Sequence, residues 1–200
     1  MLKDKKIVLG VTGGIAAYKA AELVRELVRT GAQVYVIITQ NAQAFITPLT
    51  FQTLSGNPVA TELLSLMEES EIGHISLADR ADILVIAPAT ANILGKIAGG
   101  IADDMLSTVV MATKAPVLIA PAMNVHMWEN AICQENIQRL RQKGYHFIDP
   151  EAGELACGYE GKGRLAEVPA IVEEIRSILS PKDFSGETVL ITAGPTEEGI

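Results

Sequence analysis

Three residues of this chain combine a reactive side chain with a position where the chain turns. Cys157 lies between Ala156 and Gly158 in a stretch with no clear period, and a thiol there could donate a proton or attack as a nucleophile when a loop closes. Asn124 directly follows Pro121-Ala122-Met123; its amide suits a carboxylate, although an asparagine in that place equally caps a turn. His74 follows Gly73 and opens an amphipathic run, where a lone histidine is more often a surface or satisfied core residue than a proton carrier. The other cysteine, Cys133, falls in a helical stretch and reads as a small buried hydrophobe. Two cysteines make neither a disulfide framework nor a metal cluster, and no zinc-type spacing occurs.

A second kind of chemistry is suggested by Thr12-Gly13-Gly14. An apolar run over residues 7–12 feeds a helix through these glycines, which is the arrangement that seats a phosphate, and equally the arrangement of a tight structural turn. Gly10, Gly13 and Gly14 do not form G-x-G-x-x-G, and the second apolar run ends in Thr39-Gln40-Asn41 without the acid that holds an adenine ribose. No G-x-x-x-x-G-K-[ST] is present either. A mononucleotide such as FMN fits what remains, with the Thr39 hydroxyl better suited to a phosphate than to a diol.

The elements that must position these residues alternate between the strand and helix periods. Residues 7–12, 33–39, 83–87 and 116–120 read as buried strands, with residues 146–148 as a short fifth. Helices are expected over residues 15–30, with Ala20, Leu23, Val24, Leu27 and Val28 on one face and Gly31 as the stop, and over 47–55, 91–98, 103–113, 131–143 and 168–179. This is an α/β pattern, a doubly wound open parallel sheet of the Rossmann-like kind, which binds ligands at the carboxyl ends of its strands. Thr12-Gly13-Gly14, Pro88-Ala89-Thr90-Ala91-Asn92 and Pro121-Ala122-Met123-Asn124 converge there. Residues 149–167 have no such period and are expected to form a long loop, of the kind that serves as a lid or binding loop.

Composition narrows the function. The 200 residues are 48% hydrophobic and 20% charged, enough for one well-packed domain, and the 4% aromatic content favours helix-covered parallel strands over a β-sandwich. A net charge of −8 gives no basic footprint for nucleic acid or anionic membrane. Lys3, Lys5 and Lys6 before an apolar run mimic a signal peptide, but Gly13-Gly14 break the run and no stretch approaches bilayer length, so a cytoplasmic protein is expected.

Four segments together resemble the homo-oligomeric flavin-containing cysteine decarboxylases. They are Gly10-Val11-Thr12-Gly13-Gly14-Ile15-Ala16-Ala17-Tyr18-Lys19, Ala87-Pro88-Ala89-Thr90-Ala91-Asn92, Pro121-Ala122-Met123-Asn124-Val125-His126-Met127, and Ala156-Cys157-Gly158 with Gly161-Lys162-Gly163-Arg164. The resemblance covers residues 1–180 and is greatest to the group acting on 4'-phosphopantothenoylcysteine in coenzyme A synthesis. It implies FMN held by Thr12, Gly13, Gly14, Ile15, Ala16, Thr39, Pro88, Ala89, Thr90, Asn92, Ser107 and Met123. It also implies His74 as active-site histidine, Asn124 as carboxylate binder and Cys157 as proton donor, in a homotrimer with flavin at the subunit interface, often built into a dodecamer. The implied chemistry is thiol oxidation, loss of CO2 and re-reduction of the enethiolate. Residues 189–196 look like the first strand of a CTP-dependent phosphopantothenate–cysteine ligase, so residues 181–200 are expected to be a linker and the start of that partner domain. Tyr159 and the late proline of Ala166-Glu167-Val168-Pro169 depart from many relatives. Rival readings are a decarboxylase of peptide C-terminal cysteines, a flavin prenyltransferase and a non-catalytic regulatory flavoprotein of the same fold.

Overall fold

The computed structural model describes residues 2–63, 73–154, 160–181, 186, 188 and 190. Its centre is a six-stranded sheet in the order β3-β2-β1-β4-β5-β6. The strands are β1 (Lys6–Val11), β2 (Gln33–Ile38), β3 (Val59–Ala60), β4 (Ile83–Ala89), β5 (Val117–Pro121) and β6 (His146–Phe147). All five neighbouring pairs are parallel. Strands covered on both faces must be apolar throughout, and β4 is: its seven residues, ILVIAPA, are all buried. The order reverses direction between β1 and β4, so their carboxyl ends diverge and leave a crevice.

Each face of the sheet has its own core. On one side, α1 (Ala17–Arg29) and α8 (Val168–Leu179) pack Leu23, Leu27, Ile171 and Ile175 against Ile7, Leu9 and Val85. On the other, α3 (His74–Arg80), α4 (Ala91–Gly99), α5 (Met105–Ala112) and α7 (Ala131–Gln142) bring Leu77, Leu94, Leu106 and Leu140 against Val8, Leu84 and Ile86. The expected face of α1 is buried except for Val28, which stays 37% exposed. Gly31, at φ +85, turns the chain after α1 into β2 as expected. Pro169 sits in the first turn of α8, where its missing N–H costs nothing.

The structure corrects the expectation of a long loop over residues 149–167. β7 (Glu151–Glu154) and β8 (Glu160–Arg164) pair antiparallel as a two-stranded ribbon outside the main sheet. Their sequences, EAGE and EGKGR, carry no apolar alternation because neither face enters a core. β3, a 3₁₀ turn over Gln40–Ala44, α2 (Pro48–Ser55) and the short α6 (Val125–Glu129) complete the fold; of these only α2 is foreshadowed by periodicity. Among the described residues no helix is long and apolar enough to cross a membrane.

Candidate functional site

The crevice between β1 and β4 opens into a cavity of about 1240 Å³. Its floor is built by the turn after β1. Thr12 is 3% exposed, and its hydroxyl donates to the Pro88 carbonyl (2.8 Å) while accepting the Thr90 N–H (3.0 Å). That side chain therefore fastens the turn after β1 to the end of β4 and to the residue that follows it. Thr39 does the same toward β2: its N–H (3.0 Å) and its hydroxyl (3.3 Å) both donate to the Val11 carbonyl.

Gly13 is fixed by close approach. A Cβ at this position would lie 2.5 Å from the Asn41 Cβ and 2.8 Å from its carbonyl carbon, so only glycine lets the 3₁₀ turn close over the loop. At Gly14 an added Cβ would meet only the Thr90 methyl, at 3.7 Å, and would otherwise stand in open space. α1 starts at Ala17 with no side-chain cap and no acid in its first turn. An uncapped helix start carries outward-pointing N–H groups and a partial positive charge, which is the seat an anion needs. No acidic residue ends β2, where Thr39 and Gln40 line the cavity, so the wall favours a phosphate over a ribose diol.

The opposite wall is the loop after β5. Asn124 lines the cavity and its Oδ1 accepts the His126 N–H at 2.8 Å, capping α6. This contact orients the amide from the backbone of its own helix start. Met123 lines the cavity too; its N–H donates to the Gly163 carbonyl of β8 (3.0 Å), and its sulfur lies 3.7 Å from the Cys133 thiol. Burial pushes the Cys133 thiol pKa up, as expected of a packing cysteine.

A charged cluster that sequence reasoning missed stands on a third side. Lys96 Nζ lies 2.7 Å from both Asp103 Oδ1 and Asp104 Oδ2, with its side chain only 20% exposed. The hydrogen bonds that Lys96 donates to Asp103 and then to Asp104 raise its pKa against the opposing effect of burial. Burial works against the charge on Asp104, but the Lys96 hydrogen bond and the Ser107 N–H outweigh it and hold its pKa below the usual aspartate value. The signal was present as a single lysine in the otherwise uncharged helix ANILGKIAG. Lys19 and Arg164 also line the cavity and share the Glu167 carboxylate, at 3.1 and 3.7 Å.

Of the residues expected at the site, Thr12, Gly13, Gly14, Ile15, Ala16, Thr39, Pro88, Thr90, Asn92, Met123 and Asn124 meet around this one cavity. Ala89 and Ser107 do not line it. Ala89 is buried in β4, and the Ser107 hydroxyl completes a capping box with Asp104 at the start of α5. His74 is the first residue of α3, half-buried and outside the cavity of its own chain. Cys157 lies outside the described residues, as does Tyr159.

Comparison with known proteins agrees with this architecture. The Flavoprotein family model matches residues 1–180. The coenzyme A biosynthesis bifunctional protein CoaBC of Bacillus subtilis (strain 168) is 51% identical, covering 100% of this chain and 50% of that protein. CoaBC of Escherichia coli (strain K12) is 46% identical, over 100% of this chain and 49% of its own length. The chain thus spans about half the length of the curated relatives it matches. A solved structure of a PPC decarboxylase mutant complexed with pantothenoylaminoethenethiol superposes with a TM-score of 0.78 at 32% identity, over 88% of this chain and 98% of that one. The FMN-dependent cysteine decarboxylase SpaF superposes with a TM-score of 0.75 at 31% identity, over 90% and 100%. By sequence match and by fold, this chain belongs to the flavoprotein family.

Proposed function

We propose that this chain is an FMN-dependent decarboxylase that converts 4'-phosphopantothenoylcysteine to 4'-phosphopantetheine in coenzyme A biosynthesis. The observation that carries the reading is that an uncapped helix start and an oriented asparagine amide line the same crevice. It offers an anion seat and a carboxylate partner on opposite walls of a space large enough for a flavin and a substrate arm. Similarity to bifunctional coenzyme A proteins and to a PPC decarboxylase supports this substrate over the rival reading of a peptide C-terminal cysteine.

The residues present fit FMN. The Gly14, Ile15 and Ala16 backbone and Thr39 would hold its phosphate, and the Pro88, Thr90 and Asn92 loop with Met123 would flank its ring. When bound, FMN supplies a two-electron acceptor for the substrate thiol and returns those electrons at the end of the cycle. A cysteine carboxylate does not depart unaided, because the electron pair left behind has no sink; a thiocarbonyl on the neighbouring carbon provides one. Asn124 holds the carboxylate where its C–C bond can align with that sink, a contribution of orientation rather than proton transfer. His74 accepts a proton during thiol oxidation, and because it stands outside its own cavity we assign it to the site of a neighbouring subunit. Cys157 donates the proton that completes the reduced product.

The working assembly in this proposal is a cytoplasmic homotrimer with flavin at the subunit boundary, extendable to a dodecamer. Residues 1–180 are its decarboxylase domain, followed by a linker and a ligase domain in the full-length chain. Mass spectrometry of purified protein incubated with 4'-phosphopantothenoylcysteine, without added cofactor, tests the reading. Appearance of 4'-phosphopantetheine supports both the reaction and a co-purified flavin. Bound flavin with no product overturns the substrate and points to peptide C-terminal cysteines or a regulatory flavoprotein.

A further inference from the structure

The β7–β8 ribbon is joined to the rest of the molecule by a short set of contacts, and two of them fall on one lysine. Lys162, in the middle of β8, places its Nζ 2.8 Å from Asp149 Oδ2 and 5.5 Å from the centre of the Trp128 ring on α6. Asp149 stands just before β7, and its other oxygen takes the Arg141 guanidinium of α7 at 2.5 Å. That guanidinium lies over the Phe147 ring of β6, 5.2 Å from its centre. The residues flanking Lys162 reach the same neighbour. A Cβ at Gly161 would come within 2.7 Å of the Val125 side chain, so β8 lies directly against α6, and the Gly163 carbonyl accepts the Met123 N–H. Lys162 first, and then Arg141, keep the Asp149 carboxyl below its usual pKa, so the acceptor of this clasp stays ionised near neutral pH.

We propose that Lys162 is a positioning residue: clasped to Asp149 and stacked on Trp128, it presses β8 onto α6 and so fixes the Met123-Asn124 turn on the cavity wall. The route is short. Asn124 caps α6, Trp128 lies on α6, and Met123 is bonded to the residue after Lys162. Each ion pair is about half-exposed, so the clasp adds little to global stability. Its effect is on where the turn sits. The functional consequence rests on the decarboxylase reading above; the geometric one does not.

The chain holds a single tryptophan, Trp128, which makes the clasp observable without turnover. Acrylamide quenching of the holoprotein is measured for the wild type, Lys162→Met, Lys162→Arg and Asp149→Asn. We expect quenching to rise by about twofold in Lys162→Met and Asp149→Asn, as the ring loses its cover, and to return toward wild type in Lys162→Arg. In parallel, kcat/KM for 4'-phosphopantothenoylcysteine falls on the order of tenfold in Lys162→Met, carried by KM, with flavin content and Tm held. Unchanged quenching overturns the clasp. Raised quenching with KM within twofold of wild type overturns its link to the Asn124 turn. A wild type that binds flavin but leaves this substrate unconverted refutes the decarboxylase reading, and the quenching series then still decides the clasp on its own.

Discussion

Strand β4 and strand β8 border the same cavity and are held by different physics. In β4 all seven residues are buried, and both faces are sealed by separate apolar cores. In β8 one residue of five is buried, and attachment depends on a lysine, two glycines and a main-chain hydrogen bond. The first strand is held by apolar packing on both faces and by its main-chain ladders, with the Thr12 hydroxyl on the Pro88 carbonyl added near its end. The second, on the proposal above, should shift when one charge is removed while the fold stays intact. On the proposed reading a rigid floor and an adjustable wall would divide the work: one would resist unfolding, and the other would meet the substrate.

The sharpest way to break this contrast is through the floor. Ile86→Ala should cost about 2–5 kcal/mol, because the cavity left between β4 and its helices cannot collapse. Urea denaturation should show the loss, with flavin retained in the surviving folded fraction. Lys96→Met comes next. It strands two carboxylates at the edge of the cavity, and a loss of about 2 kcal/mol at neutral pH is expected. Lys96 has a raised pKa in the folded protein, so its stabilisation is complete below the ordinary lysine value of 10.5 and fades as pH rises beyond it. Asp104 has a lowered pKa, so its share is complete above the ordinary aspartate value of 3.8 and fades as pH falls below it. The variant's deficit, followed by denaturation across pH, should shrink toward both extremes; a flat deficit would mean packing rather than charge.

Thr12→Val is a milder cut at the same place. The Thr90 N–H loses its acceptor, for about 1–2 kcal/mol, and the affinity of apoprotein for FMN should fall further than stability does. The smallest effect sharpens the contrast from outside. Arg176→Gln removes an exposed pair with Glu173 on α8 and should change Tm by an amount equivalent to less than about 0.5 kcal/mol. A larger change there would show that surface charge matters to this fold as much as its core does.

What was legible in the sequence follows the same division. Strands β1, β2, β4 and β5 announce themselves as apolar runs because burial on both faces leaves no choice of residue. The glycine turn was legible because Gly13 is demanded by contact with Asn41. Ribbon β7–β8 was not, since charged and glycine residues outside a core carry no period. The Lys96 cluster was hidden for another reason: its partners lie seven and eight residues away, across the turn between α4 and α5, and only the folded turn brings them together. Ser107 shows the converse. Its hydroxyl closes the α5 capping box, a local pattern that Asp104 three residues earlier already spelled out.

The Thr12 hydroxyl has a dynamic consequence as well. The β1–β4 ladder has its last paired residues at Gly10 and Ile86, yet the Thr12 hydroxyl receives the Thr90 N–H beyond it, adding a side-chain rung past the end of the regular pairing. The amide of Thr90, formally in a loop, is thereby tied to the centre of the sheet. Its hydrogen should exchange with deuterated solvent on the timescale of sheet opening rather than loop motion. The two loops that would enclose a ligand, 78 residues apart in sequence at this bond, would then open as one cooperative unit or not at all.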